Sequence, residues 1–108
     1  RVVVQCSGRT NRFAMDDALC AGHLVHLLME GAEADVESAS PTLNDAARAS
    51  MALARSVEPT EVFLASTAAG RALAEIDMDG DLALCARVDR HDVVPRLVDQ
   101  AVVLEPEG

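Results

Sequence analysis

Apolar positions recur along this chain with two different periods. Val2, Val3 and Val4 are consecutive β-branched residues, which pack on a pleated sheet better than they fit a helix, so they predict a short buried strand. Cys6 to Arg12 is small, polar or cationic with one glycine, which predicts a loop. The spacing then turns helical. Met15, Ala18, Leu19, Gly22, Val25, Leu28 and Met29 lie three or four residues apart, predicting a helix from Ala14 to Glu30 that stops near Gly31. Phe13 is placed to pack on Ala18 as a hydrophobic staple. Asp17 has the spacing of a capping box whose Ser or Thr is replaced by Ala14, a substitution that costs about 1 kcal/mol at a helix cap.

Beyond this unit, Ala32 to Ser38 is acidic and unpatterned and reads as a surface connection. Ser40 and Pro41 suit the cap and first position of a second helix, whose small-residue face (Leu43, Ala46, Ala47, Ser50, Met51, Leu53, Ala54) extends to about Val57. Helical spacing resumes from Thr60 to Ile76, with a break near Gly70. The stretch from Asp77 to Asp81 lacks the full EF-hand pattern and its terminal Glu, so it reads as a turn. Asp81 to Val88 predicts a short amphipathic helix. Val93 to Leu97 and Ala101 to Leu104 predict a hairpin at a sheet edge, the position where Pro95 is tolerated.

These elements place the chain in the α/β class as a partial three-layer α/β/α arrangement: one buried N-terminal strand, three to four helices and a C-terminal edge hairpin. A buried parallel strand needs neighbours. The expectation is one domain over residues 1–108 that forms half of a larger fold, its sheet completed by an N-terminal half or another protomer.

Composition narrows the function classes. Half the residues are hydrophobic, as in a globular chain, and the net charge is −9, from 18 acids against nine cations that are all Arg. Such a surface repels phosphate backbones, and Phe13 and Phe63 alone could stack a base, so nucleic acid is excluded as a partner. Cys6, Cys20 and Cys85 are odd in number and form no CxxC, which implies neither a disulfide framework nor structural zinc and favours a cytoplasmic location. No apolar run is long enough to span a bilayer, so no membrane association is expected.

The candidate chemistry sits where the first strand passes through the loop into the helix. A helix start presents unpartnered N–H groups and the positive end of the dipole, and Arg9 and Arg12 add two guanidinium groups there, so Ser7, Gly8, Arg9, Thr10 and Arg12 are the candidate phosphate-binding residues. Asp16 and Asp17 are adjacent hard carboxylates of the kind that bind Mg²⁺. Cations for a phosphate beside acids for a metal suit metal-assisted phosphoryl transfer. Acids in a first helical turn also simply complement the dipole, and that reading stands beside the metal one. Cys6 is either a small buried hydrophobe or, facing the cleft, a nucleophile. His23, His26 and Glu30 lie turns away from the acid pair and read as a solvated or hydrogen-bonded helix surface.

The order of short motifs resembles the C-terminal half of the 2-phosphosulfolactate phosphatase (ComB-like) family. Cys6-Ser7-Gly8 matches its Cys-Ala-Gly strand end, Phe13-Ala14-Met15-Asp16-Asp17 its Phe-Ser-x-Glu-Asp helix start, and Ala21-Gly22 follows. Asp45-Ala46-Ala47, Gly70-Arg71-Ala72-Leu73, Asp81-Leu82, Cys85-Ala86, Asp89 and Val94-Pro95 keep the family's order. The resemblance implies Mg²⁺-dependent hydrolysis of a small anionic phosphate ester, as in coenzyme M biosynthesis. In that frame Asp16 and Asp17 are metal-linked or orient a water, Asp17 and Cys6 are the catalytic candidates, and the Cys6 to Arg12 loop holds the substrate. Ala14 in place of Ser, Asp16 in place of Glu, and Arg9 and Asn11 in the loop depart from the pattern. These departures leave a non-catalytic anion-binding or structural homologue as the alternative.

Overall fold

The longest apolar stripe in the chain is helical in period, and it is buried against other helices. In the computed structural model, which describes residues 1–35, 37 and 40–106, that stripe is helix α1, Met15–Ala34. Its buried residues are Ala18, Leu19, Ala21, Gly22 and Val25, with Leu19 only 2% exposed at the centre of the core. Helix α2 (Asp45–Ser56) lies along it. The backbones meet at Gly22, where a Cβ would run into the Ser50 carbonyl oxygen and come within 2.9 Å of the Ala54 Cβ. Small residues on both helices permit that approach.

Helix boundaries follow local hydrogen bonding more closely than glycine and proline signals. Ala14 is the N-cap of α1 and has no side-chain cap bond, as its methyl group dictates. The helix runs past Gly31, since the well-favoured Ala32 and Ala34 outweigh the roughly 1 kcal/mol that an internal glycine costs. Val36 and Ser38 of the expected connection lie outside the described residues. The cap of α2 is Asn44, not Ser40: its side-chain oxygen accepts from the Ala47 N–H at 2.8 Å, and Ser40 and Pro41 lie upstream in irregular chain. An Asn immediately ahead of the apolar face satisfies an orphan N–H that Ser40 is too distant to reach.

The expected helix from Thr60 to Ile76 is two helices, α3 (Glu61–Ser66) and α4 (Ala68–Glu75). The break falls at Thr67, not Gly70. Thr67 is extended (φ −75°, ψ 160°), donates its hydroxyl to the Leu64 carbonyl at 2.7 Å and accepts from the Gly70 N–H at 3.1 Å, so one buried side chain both ends α3 and caps α4. Gly70 sits inside α4, where any Cβ would collide with the Leu64 carbonyl oxygen. Helix α5 (Asp81–Cys85) is shorter than expected and closes the core with Leu82 against α3.

The C-terminal hairpin forms as expected. Strand β1 (Val93–Val98) pairs antiparallel with β2 (Ala101–Pro106) in the register Pro95↔Leu104 and Leu97↔Val102. Asp99 and Gln100 both have positive φ, giving a two-residue connection rather than three. The N-terminal strand does not form within this chain. Val2 and Val3 are 68% and 69% exposed and belong to no strand, because the two strands present pair only with each other. Among the described residues the architecture is therefore mixed α/β: five helices and one two-stranded antiparallel sheet.

Candidate functional site

The loop that precedes α1 is a tight hairpin-like turn. Arg9 and Arg12 exchange both backbone hydrogen bonds, at 3.0 and 2.9 Å, across Thr10 and Asn11, whose φ values of 51° and 58° are left-handed. Gly8 is left-handed too (φ 69°), and a Cβ there would lie 2.7 Å from the Arg12 carbonyl oxygen, so the turn requires glycine. Thr10 adds a hydroxyl bond to the Arg9 carbonyl at 2.7 Å.

Asp17 ties this turn to the helix. Its Oδ2 accepts from the Gly8 N–H at 2.8 Å and from the Ser7 hydroxyl at 3.4 Å. The acid at the capping-box spacing thus reaches past its own N-cap to the preceding loop. The Ser7 and Thr10 hydroxyls and the Gly8, Arg9 and Arg12 amides are engaged within the chain. Cys6 is an exposed free thiol ahead of the turn.

Arg9 then lines a hollow of about 250 Å³, walled by Met15 and Asp16 from α1, by Thr67 and Ala68 at the start of α4, and by Arg71. Two arginines and one aspartate line it from three separate stretches of sequence. Asp16 Oδ1 is buried and makes no hydrogen bond. A buried carboxylate oxygen without a partner is costly unless something occupies it, so it is the donor best suited to a cation. Asp17 uses only Oδ2 for the loop. Among the described residues no group of three or more His, Cys, Asp or Glu is arranged around a metal. Two adjacent carboxylates do not by themselves make a protein-only cage for a cation.

Asp16 and Asp17 also border a wider groove of about 520 Å³, which shares Asp16, Thr67 and Ala69 with the first hollow and continues past Cys20, His23 and His26. His23 Nε2 and His26 Nδ1 are buried there without partners, while His26 Nε2 lies 3.2 Å from Glu30. The histidines are therefore neither fully solvated nor clustered around a metal. Asp16 shares the first hollow with Arg9, whereas Asp17 borders only the second; Cys6, Ser7, Gly8, Thr10 and Arg12 line neither. Arg71 and Thr67 were not foreseen. Their signal was the Thr67 cap, which places Arg71 one turn into a helix whose start faces the loop.

A family model described as 2-phosphosulpholactate phosphatase matches residues 1–100. A probable 2-phosphosulfolactate phosphatase of Carboxydothermus hydrogenoformans is 33% identical over 87% of this chain and 36% of its own length. Proteins of the same description from Thermus thermophilus and Pseudothermotoga lettingae are 30% and 27% identical, over 89% and 94% of this chain and 38% and 42% of theirs. The chain spans about two fifths of the length of these relatives. With this match over residues 1–100, the chain belongs to the 2-phosphosulpholactate phosphatase family.

Proposed function

We propose that this chain is part of a phosphatase that hydrolyses 2-phosphosulfolactate to sulfolactate and inorganic phosphate with Mg²⁺. The observation that carries the reading is the hollow at the start of α1 lined by Arg9 and by Asp16, one of whose carboxylate oxygens is buried without a partner. Arg9 supplies a planar, bidentate donor for phosphate oxygens. Asp16, with the unengaged oxygen of Asp17, would hold the metal, which when bound polarises the phosphoryl group and activates water. Asp17 also fixes the turn that aims Arg9. In the same reading the chain contributes to a three-layer α/β/α fold in which Val2 to Val4 gains strand neighbours from an N-terminal half or another protomer.

The test is phosphate release from 2-phosphosulfolactate in the presence of Mg²⁺. Release should be abolished by chelation and reduced at least ~100-fold in Asp16→Asn, the scale of losing a group that acts on developing charge. A second reading, an anion-binding homologue without turnover, rests on Arg9 and Arg71 lining the hollow and on the departures from the family pattern at Ala14 and Asp16. It predicts thermal stabilisation by sulfolactate with no phosphate released by the full-length protein.

A further inference from the structure

We infer that the wider groove holds the apolar alcohol portion of a phosphate monoester whose phosphate sits in the first hollow. The inference rests on the phosphatase reading for the phosphate end, and on the groove alone for the rest of the ligand. Asp16, Thr67 and Ala69 line both cavities, so the two adjoin at those residues. At about 520 Å³ the groove has about twice the volume of the hollow and falls within the roughly 300–1,000 Å³ of small-molecule sites.

The lining decides which ester fits. Leu19, Leu64 and Leu82, core residues of α1, α3 and α5, contribute to it, and Leu73 of α4 adds a half-buried side chain. Leu27 and Val88 line the same groove while exposed to solvent. An open apolar surface bordered by polar groups is the usual form of a ligand groove. The charged members of this lining are Asp16, Asp17 and Asp89, all acids, and no arginine among the described residues joins them. Both arginines of the site, Arg9 and Arg71, line the first hollow instead. The anionic and apolar ends of a ligand are thereby sorted: phosphate belongs in the hollow, and a second anionic group is repelled from the groove. An uncharged alkyl or aryl group meets no such penalty and takes leucine surface out of water. Hydrolysis of such an ester joins a water oxygen to phosphorus and breaks the phosphorus–alkoxy bond. The alkoxy oxygen keeps the bonding pair and takes one proton from the water, giving the alcohol and inorganic phosphate.

The experiment measures binding of ethyl, butyl and hexyl phosphate to this chain by calorimetry, in the presence of Mg²⁺. The phosphate is constant across the series, so the trend reports the tail. Affinity should rise at least ~10-fold from ethyl to hexyl phosphate, below the limit for full burial of the added methylenes. Leu73→Gln, in the groove, should cut that rise to less than half on a logarithmic scale. Val62→Gln, at an exposed α3 residue that lines neither cavity, should leave it unchanged. If Leu73→Gln does not fold, as judged by circular dichroism, Leu27→Gln at an exposed position on the groove decides the matter. A flat series, no saturable binding of hexyl phosphate, or an undiminished rise in a folded groove variant overturns the inference. So does an equal loss in Val62→Gln, which marks adsorption to apolar surface at large. A rise in this chain that is absent from the full-length protein also overturns it, since another segment then fills the groove. Phosphate release separates the two readings. A rise in affinity with no release from any ester sinks the phosphatase reading and leaves the groove assignment standing; release from 2-phosphosulfolactate with a flat series does the reverse. Where turnover is seen, kcat/KM should climb along the series by a similar factor, and indifference to tail length counts against the inference.

Discussion

Single residues at the start of α1 carry separable roles. Ala14 occupies an N-cap with extended backbone (φ −120°, ψ 124°), the geometry from which a serine hydroxyl reaches the first-turn N–H groups, and no side-chain bond is made there. Ala14→Ser should therefore raise stability by about 1 kcal/mol in urea denaturation, with no change in the slope of the transition. Asp17 is the opposite case, since it supplies the acceptor for both Gly8 and Ser7. Asp17→Ala should cost about 1–2 kcal/mol, the scale of a charge-assisted bond at a partly buried site. It should also release the turn, seen as loss of protection of the Gly8 amide in hydrogen exchange. If Asp17 served only a metal, the Gly8 amide would be unaffected in metal-free solution. That Asp16 and Arg9 border one hollow was legible in the sequence because they are near neighbours. The place of Arg71 on the same hollow was not, because it depends on a helix break some sixty residues downstream of the loop.

At the level of elements, backbone contacts between helices set the geometry of the hollow. Gly22 lets α2 come up against α1, and Gly70 lets α4 fold back on α3, each at a position where a methyl group would strike a carbonyl oxygen of the neighbouring element. Gly22→Ala should destabilise the protein by about 1–3 kcal/mol, the usual range for overpacking, despite the higher helix propensity of alanine. A gain in melting temperature would show that α1 and α2 are not in contact in solution. The helical faces were readable because apolar period survives whatever the neighbours do, and the two short strands of the hairpin were readable for the same reason. The ends of elements were less so. Asn44 outcompeted Ser40 as a cap because it stands next to the packed face, and Thr67 broke the helix because its side chain could bond in both directions at once. Val2 to Val4 has strand propensity, but a strand is a pairing, and its propensity says nothing about where the partner is.

Over the whole molecule, the helices hold the buried core and the hairpin stands beside it. The buried apolar residues, among them Leu19, Val25, Leu64 and Leu82, come from α1, α3 and α5. Leu97 and Val102, paired across the hairpin, are 74% and 72% exposed, and Leu104 is 63% exposed. The radius of gyration is 15.6 Å, against about 13 Å for a compact chain of this length, consistent with a projecting element. A two-stranded hairpin that buries little apolar area is marginal in water, and its opening need not disturb the rest. The amides of β1 and β2 should then exchange with solvent at least ~100-fold faster than those from Ala18 to Val25, which exchange only when α1 leaves the core. That ratio should be independent of protein concentration. If hairpin amides are instead protected to the same degree as α1, and lose protection on dilution, then the row Val93, Pro95, Leu97, Val102 and Leu104 is covered by a second copy of the chain. In that case the hairpin belongs to the cooperative unit only in the assembled state.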